Sequence, residues 1–371
     1  MKKKIWMMLL CGALVCFPLG GCGINRADAD TGSVQSEAAS DHKTTKNSNA
    51  ENTSEVFAMD TYMTLTAYGE NAKEAVEAGI AEIQRLDALL STGVANSEVA
   101  QINQNGGGTL SEDTDYLVKR ALAIYQSTQG AFDISIYPVM QLWGFTTGDF
   151  AVPSKEDLAA KLALVNAGRI SLAEDNGVSS ITLPEGMEID LGGIAKGYTS
   201  GRVMEVMKRY GIESAVINLG GNAHVLGSKP DGSAWKVGIQ DPNDTNGYLG
   251  GVSVRDKAII TSGGYERYFV DEATGVKYHH IIDPKTGYSA NNGLISVTIV
   301  SADSTLADGL STSLFVLGTE DAIAYCKEHC AEDGFDAIME DEDGKLYITD
   351  GIMDDFINMN NTANIQEIET K

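Results

Sequence analysis

The chain has 371 residues, a formal net charge of −25 and 43% hydrophobic residues, enough to bury a full core in one large domain or two small ones. This acidity argues against nucleic acid as a partner, because phosphate binding needs concentrated Lys and Arg, and the one basic cluster is Lys2-Lys3-Lys4 at the N-terminus. Cys11, Cys16 and Cys22 all lie in the leader region, so Cys326 and Cys330 are left to the folded part, too few for a disulfide framework or a cysteine-rich zinc site.

The basic start runs into an apolar stretch from Ile5 to Leu19, too short to cross a bilayer comfortably, which is the build of a secretory signal. It ends in Leu19-Gly20-Gly21-Cys22, which resembles a bacterial lipobox; an ordinary signal with an incidental cysteine is the alternative. Residues 1–21 are therefore expected to be a lipoprotein signal peptide and Cys22 the lipidated residue. The protein is expected to be exported and lipid-anchored to the outer face of the bacterial cell membrane. Residues 22–54 are polar and small and cannot offset their ordering entropy, so they read as a disordered tether. The folded domain is expected over residues 55–356, followed by a polar, frayed tail at 357–371.

Val56 to Tyr68 reads as a strand. Ala72 to Leu90 reads as an amphipathic helix, with Val76, Ile80, Ile83, Leu86 and Leu90 at helical spacing. A second helix runs from about Thr114 to Thr128 and stops at Gly130. Ser154 with Asp157 caps a third helix through Val165, and Ser180 to Leu183 is a short strand. From Ser214 to Gly293 short β-rich runs alternate with turns: Ala215–Asn218, His224–Leu226, Trp235–Ile239, Val252–Val254, Ala258–Ile260 and Tyr278–Ile282. Ile295–Val300 is a further strand, Thr305–Leu317 and Glu320–His329 are helices, and Asp336–Met339 with Leu346–Ile348 forms a hairpin around Asp343-Gly344. Strands and helices do not alternate regularly, so the class is α+β, an antiparallel sheet packed with helices.

Several stretches carry groups suited to chemistry. Glu188-Ile-Asp190-Leu-Gly-Gly193-Ile-Ala-Lys196-Gly reads as a strand, a glycine turn and a helix start, where backbone N–H groups, the helix dipole and a lysine favour phosphate; a packing turn is the alternative. It matches neither the P-loop nor the Rossmann fingerprint. Asp308, Ser311 and Thr312 fall at i, i+3 and i+4 and line one side of a helix with oxygens suited to Mg²⁺, or form an ordinary polar face. In Tyr278-His279-His280-Ile-Ile282-Asp283-Pro284, strand neighbours point to opposite faces, so at most one histidine faces a site; it is a proton carrier or a hydrogen-bonded sheet residue. Gly130-Ala131-Phe132-Asp133 either lets a planar ligand lie against the backbone or packs after the helix end. Thr261-Ser262-Gly263-Gly264-Tyr265-Glu266-Arg267 lacks the spacing of a serine nucleophile.

Taken in order, these stretches resemble the ApbE family, the FAD:protein FMN transferases. The matching pieces are Met59-Asp-Thr61, Leu90-Ser-Thr92, Gly130-Ala-Phe-Asp133, Leu142-Trp-Gly-Phe145, Asp190-Leu-Gly-Gly-Ile-Ala-Lys-Gly197, Asn218-Leu-Gly-Gly221, Thr261-Ser-Gly263, His280-Ile-Ile-Asp-Pro284 and Ala307-Asp308 with Ser311-Thr312. The likeness spans about residues 55–355.

The resemblance implies a T-fold-like α+β domain that takes FAD as substrate with Mg²⁺ as cofactor. FMN would pass to a Thr or Ser of an exported acceptor flavoprotein, and AMP would be released. It implies a metal held by the Gly193 carbonyl, Asp308 and Thr312, with Ser311 assisting. FAD would lie along Met59, Ala131, Phe132, Asp133, Asp190, Lys196, Thr261, His280 and Ile282, with His280 and Asp308 catalytic. An Mg²⁺-dependent FAD pyrophosphatase and a non-catalytic FAD-binding lipoprotein are the alternative readings. The sequence departs from the family pattern in Gly93-Val94, where many members carry a larger residue, and in Asp60, where glycine is commoner.

Overall fold

The computed structural model describes residues 50–244, 246–359 and 364–371; the expected signal peptide, Cys22 and all but the end of the expected tether lie outside the described residues. In chain order the elements are β1 (Glu51–Ala58), β2 (Thr61–Tyr68), α1 (Ala72–Leu90), α2 (Glu98–Asn105), β3 (Gly107–Thr109), α3 (Glu112–Ser127), α4 (Tyr137–Trp143), α5 (Lys155–Leu162), β4 (Ser171–Asp175), β5 (Val178–Thr182), α6 (Gly192–Arg209), β6 (Ser214–Leu219), β7 (Asn222–Gly227), β8 (Trp235–Gln240), β9 (Tyr248–Val254), β10 (Ala258–Gly263), β11 (Tyr268–Val270), β12 (Lys277–His279), β13 (Leu294–Ser301), α7 (Ser304–Leu317), α8 (Thr319–Asp333), β14 (Phe335–Asp341), β15 (Lys345–Thr349), α9 (Asp350–Met353), β16 (Phe356–Asn358) and β17 (Asn364–Ile368).

A nine-stranded sheet in the order β1-β2-β6-β7-β10-β13-β14-β15-β17 forms the centre, antiparallel except where β17 runs parallel to β15. Helices cover one face. Val76 and Ile83 of α1 and Val203 and Met207 of α6 pack with Met63 and Leu65 of β2 and Ile217 of β6, while Leu310 and Leu314 of α7 pack with Ile260, Val297 and Met339. The other face is covered by the small sheet β16-β9-β8, whose Trp235, Val237 and Val252 meet Ala223, Val225, Ile259, Val300 and Ile338. Central strands are thus covered on both sides, which is why Leu294–Ser301 reads as a nearly unbroken buried run. Each fully buried Leu or Ile contributes about 1.5–3 kcal/mol relative to exposure. The α+β class read from the irregular alternation is the observed one.

Seven details differ from the sequence reading. Val56–Tyr68 is not one strand but a hairpin, β1 paired with β2 in register from Glu51↔Tyr68 to Ala58↔Thr61, and its first four residues had been assigned to the tether. The expected tail contributes β17, whose Ile368 is buried. The third helix ends at Leu162, short of Val165, and the strand expected to reach Ile282 ends at His279. Helix α2 was missed, although Ser97 caps it by accepting from the Ala100 amide and Gly106 closes it in the left-handed region; it is only eight residues long. Before α6, Glu188–Leu191 is not a strand: the Asn103 side chain accepts from the Ile189 amide at 2.7 Å and donates to its carbonyl at 2.8 Å, replacing a ladder partner.

The β1–β2 turn consists of Met59 and Asp60, with φ of 48° and 59°. Two positive φ values in a two-residue hairpin loop suit Asn-Gly or Asp-Gly. Asp60→Gly is expected to stabilise the fold by about 1 kcal/mol, read as a raised midpoint in urea unfolding, because the Asp60 ion pair with Arg267 is long at 3.7 Å and mostly exposed and contributes little.

Candidate functional site

Helix α6 packs on α7, and α7 packs on β10. Leu191 precedes α6; the Gly192 amide donates to Asp190 Oδ1 at 2.8 Å and those of Ile194 and Ala195 to the Leu191 carbonyl at 3.0 and 2.8 Å, which leaves the Gly193 amide and the positive end of the dipole to an anion. Lys196 stands one turn in. The phosphate-cradle reading of this stretch therefore has its helix N-terminus, although not its strand.

Helix α7 crosses α6 with Gly197 at the crossing. A Cβ there would lie 2.1 Å from the Ser304 carbonyl oxygen and 2.5 Å from the Asp308 Cβ, so no larger residue fits without parting the helices. The Gly197 amide donates to Asp308 Oδ2 at 2.7 Å, and Asn222 Nδ2 donates to Oδ1 at 3.1 Å. The Gly197 carbonyl accepts from Ser304 at 2.7 Å and Ser200 at 2.9 Å, and Ser200 lies 3.1 Å from His224 Nδ1. Asp308, Asn222, Ser200 and Ser304 are all buried. Burial pushes the Asp308 carboxyl up, while the nearby Lys196 charge and the amide donors pull it down: a buried carboxylate is held in place and offset only in part.

One turn along α7, Thr312 Oγ1 and Ser311 Oγ lie 3.4 and 2.8 Å from Ser262 Oγ of β10, and Ser311 also donates to the Asp308 carbonyl at 2.9 Å. Gly193 backs onto Phe132 and Thr312: its Cβ would sit 3.0 Å from the phenyl ring and 4.0 Å from Thr312 Oγ1. Asp308, Thr312, Ser311 and Gly193 are thus brought together, with Ser262 added. All of these donors are oxygens, the chemistry of a hard cation.

His280 is half-buried at the start of the loop after β12. Its backbone amide and Nδ1 both face the Arg267 carbonyl, at 3.1 and 3.2 Å. A carbonyl only accepts, so Nδ1 carries the proton in that bond and Nε2 keeps its lone pair. Burial, then the positive charges of Arg267 and Lys196, push this imidazole down to about 3, leaving it neutral at ordinary pH. His279 is turned elsewhere, its Nε2 2.9 Å from the Ala290 carbonyl and its ring edge-on to Phe315, so the two imidazoles of the pair have different partners. Asp190 accepts from the Gly192 amide at 2.8 Å; burial pushes it up and Arg267 pulls it down. Met59 reaches the same region, with its sulfur 3.8 Å from Thr199 Oγ1.

Other expected residues serve the frame. Asp133 accepts from the Ser135 amide and hydroxyl on one oxygen and from the Ala167 amide on the other, so its carboxylate ties down the loop before α4. Ile282 is buried among Val139, Trp143, Phe145 and Leu158, and only its backbone can border a ligand. Thr261 Oγ1 pairs with Thr298 Oγ1 at 2.8 Å across the strands, and Ala131 and Phe132 are core residues, Phe132 against Gly193.

A model of the ApbE family matches residues 59–339. The chain belongs to the ApbE family. It is 38% identical to the FAD:protein FMN transferase of Klebsiella pneumoniae (strain 342) over 251 residues, 66% of this chain and 76% of that protein. With the FAD:protein FMN transferase of Treponema pallidum (strain Nichols) it shares 33% identity over 307 residues, 77% of this chain and 83% of that protein. Among solved structures it superposes on the ApbE protein of Thermotoga maritima with a TM-score of 0.75 and 31% identity, covering 81% of this chain and 98% of that one. For the flavin transferase ApbE of Vibrio cholerae the values are 0.70, 29%, 81% and 97%.

In this ApbE-family site, sequence reasoning missed Asn222, Ser262 and Arg267. Asn222 carried a weak signal, a polar residue directly after the quoted Asn218-Leu-Gly-Gly221, but its partner Asp308 is 86 residues away.

Gly197→Ala is expected to cost about 3 kcal/mol, measured by urea unfolding, since the added methyl meets backbone. His224, pushed down to about 4 chiefly by burial, supplies a second test. The unfolded imidazole titrates near 6.5, so between those values the unfolded chain holds the extra proton, and stability falls as pH drops from 6.5 to 4, by roughly 3 kcal/mol. His224→Gln removes that component: its stability relative to the natural chain should rise by about this amount on going from pH 7 to pH 4, provided the protein unfolds reversibly at both values.

Proposed function

We propose that the protein is an Mg²⁺-dependent FAD:protein FMN transferase, cleaving FAD and joining FMN by a phosphoester to a Thr or Ser of an exported flavoprotein. The names of its relatives at 38% and 33% identity support the reaction. What carries the reading physically is the buried Asp308 carboxylate with Thr312 one turn on, beside Gly193 at the start of α6.

The donor set fits a magnesium ion: Asp308, Thr312 and the Gly193 carbonyl would hold it, with Ser311 and Ser262 bracing the hydroxyls. When bound, the ion would supply positive charge to the pyrophosphate and to the departing phosphate. The Gly193 amide at the start of α6 and Lys196 would hold phosphate oxygens. Asp190, Met59 and the backbone at His280–Ile282 would border the rest of FAD.

His280 would take the acceptor proton. Nδ1–H is tied to Arg267, so Nε2 is the atom that receives it, and its depressed pKa keeps it unprotonated before substrate arrives. The anionic pyrophosphate beside it would raise its basicity, as an opposite charge does for an imidazolium. The acceptor oxygen then bonds to the FMN-side phosphorus, the bridging P–O bond breaks, and AMP leaves with the electron pair. The pyrophosphate of FAD is the energy source. We also infer that Cys22 carries a lipid that anchors the exported protein to the outer face of the cell membrane, through a tether ahead of β1.

Incubation with FAD, Mg²⁺ and an unflavinylated acceptor domain is expected to give a fluorescent acceptor band with the mass of FMN added, and EDTA should abolish it. Asp308→Ala should lose transfer by at least 100-fold, and His280→Ala should bind FAD but lose transfer similarly. AMP and free FMN without an adduct would make the protein a pyrophosphatase, and normal transfer by either variant would remove that residue's role.

A further inference from the structure

We propose that the exposed apolar face formed by Phe57 and Tyr62 on the β1–β2 hairpin and Tyr268 on the β11–β12 hairpin is where the acceptor protein docks, an inference resting on the transferase reading. Eleven large apolar side chains stand exposed among the described residues, and five of them are on these two hairpins. Phe57 and Tyr62 are each 57% exposed and Tyr268 47%, continued by Val270 and Val276. Such a concentration marks an interaction surface where scattered single residues would not, and exposed aromatic anchors are characteristic of protein interfaces.

The face is built, and it adjoins Arg267 and His280. Phe57 and Tyr62 oppose each other in register with rings 5.1 Å apart, edge to face. On the second hairpin the alternate residues point inward: Phe269 stacks on Phe150 at 5.2 Å and Tyr278 meets Trp143 at 4.8 Å, which holds Tyr268 outward, with the Lys277 ammonium 4.0 Å over one side of its ring. Arg267 joins the two hairpins, its guanidinium 3.7 Å from Asp60 at the tip of the first while its carbonyl holds His280. The residue after Arg267 is Tyr268. The proposed base is therefore one residue's backbone from the face, and a polypeptide lying across it brings a hydroxyl to His280.

Other occupants fit less well. An anionic membrane surface would be repelled by Glu51, Glu55 and Asp60 around the aromatic pair, in a chain of net charge −25. A second copy seated there would stand between His280 and the acceptor.

The test uses the full chain and, as probe, the unflavinylated form of a protein domain that carries FMN on a threonine when mature. Phe57→Thr/Tyr62→Thr and, separately, Tyr268→Thr keep β-forming residues; circular dichroism checks the fold. The expected result is a KM for the acceptor domain raised at least 10-fold and acceptor binding weakened to match by calorimetry, with the Kd for FAD unchanged. Val152→Thr, an exposed control, should alter neither. Unchanged acceptor binding, or an equal loss of FAD binding, would overturn the proposal, as would lost vesicle binding or a monomer–dimer shift in the variants with acceptor KM intact. Calorimetry needs no turnover, so a failure of the transferase reading, seen as no FMN adduct with the natural chain, is distinguishable from a failure of docking.

Discussion

The site depends on how closely α6 and α7 approach at Gly197. With no side chain there, the Ser304 carbonyl and the Asp308 Cβ occupy the space a methyl group would need, and the Gly197 amide comes within hydrogen-bonding distance of the Asp308 carboxylate. The Gly197 carbonyl is fixed by two serine hydroxyls, one of them against His224. A carboxylate held at both oxygens has one orientation, so Thr312, one turn further along α7, takes up a set position relative to it. Positioning of this kind contributes to catalysis by removing the need to reorganise charges during reaction.

The electrostatics follow from the same burial. Desolvation pushes Asp308 and Asp190 toward the neutral form, and Lys196 and Arg267 oppose it. Those two cations help to keep His280 neutral. The site thus combines buried carboxylates with a neutral imidazole that has a lone pair to offer, the arrangement on which the proposed mechanism rests. In a chain this acidic, the overall charge serves solubility, while Lys196 and Arg267 offset part of the negative charge gathered at the site.

The sequence reading succeeded where a local rule governs the outcome and failed where a distant partner does. The Ser154 cap, the α1 register and the Asp343-Gly344 turn are local, and all were legible. The β1–β2 hairpin was read as one strand because Met59-Asp60 lacks a glycine, and only the backbone reveals two left-handed residues. Residues 51–54 look like tether by composition, yet β2 supplies their hydrogen bonds. Asp133 lies in the stretch expected to border FAD, and only the structure shows that its carboxylate oxygens are taken by Ser135 and by Ala167, 34 residues away. The segment before α6 reads as a strand by pattern, whereas Asn103 takes the place of a neighbouring strand.

The sequence by itself determined the α+β class and the family, because helical periodicity, turn chemistry and the order of short motifs are all written along the chain. Only the tertiary structure decided what the residues of those motifs touch. The donors to Asp308 come from Gly197 and Asn222, the hydroxyl beside Thr312 from Ser262, and the tautomer of His280 from a carbonyl thirteen residues earlier. Each of these depends on the packing of two helices against one sheet, and packing is a property of distances between segments that no local pattern encodes.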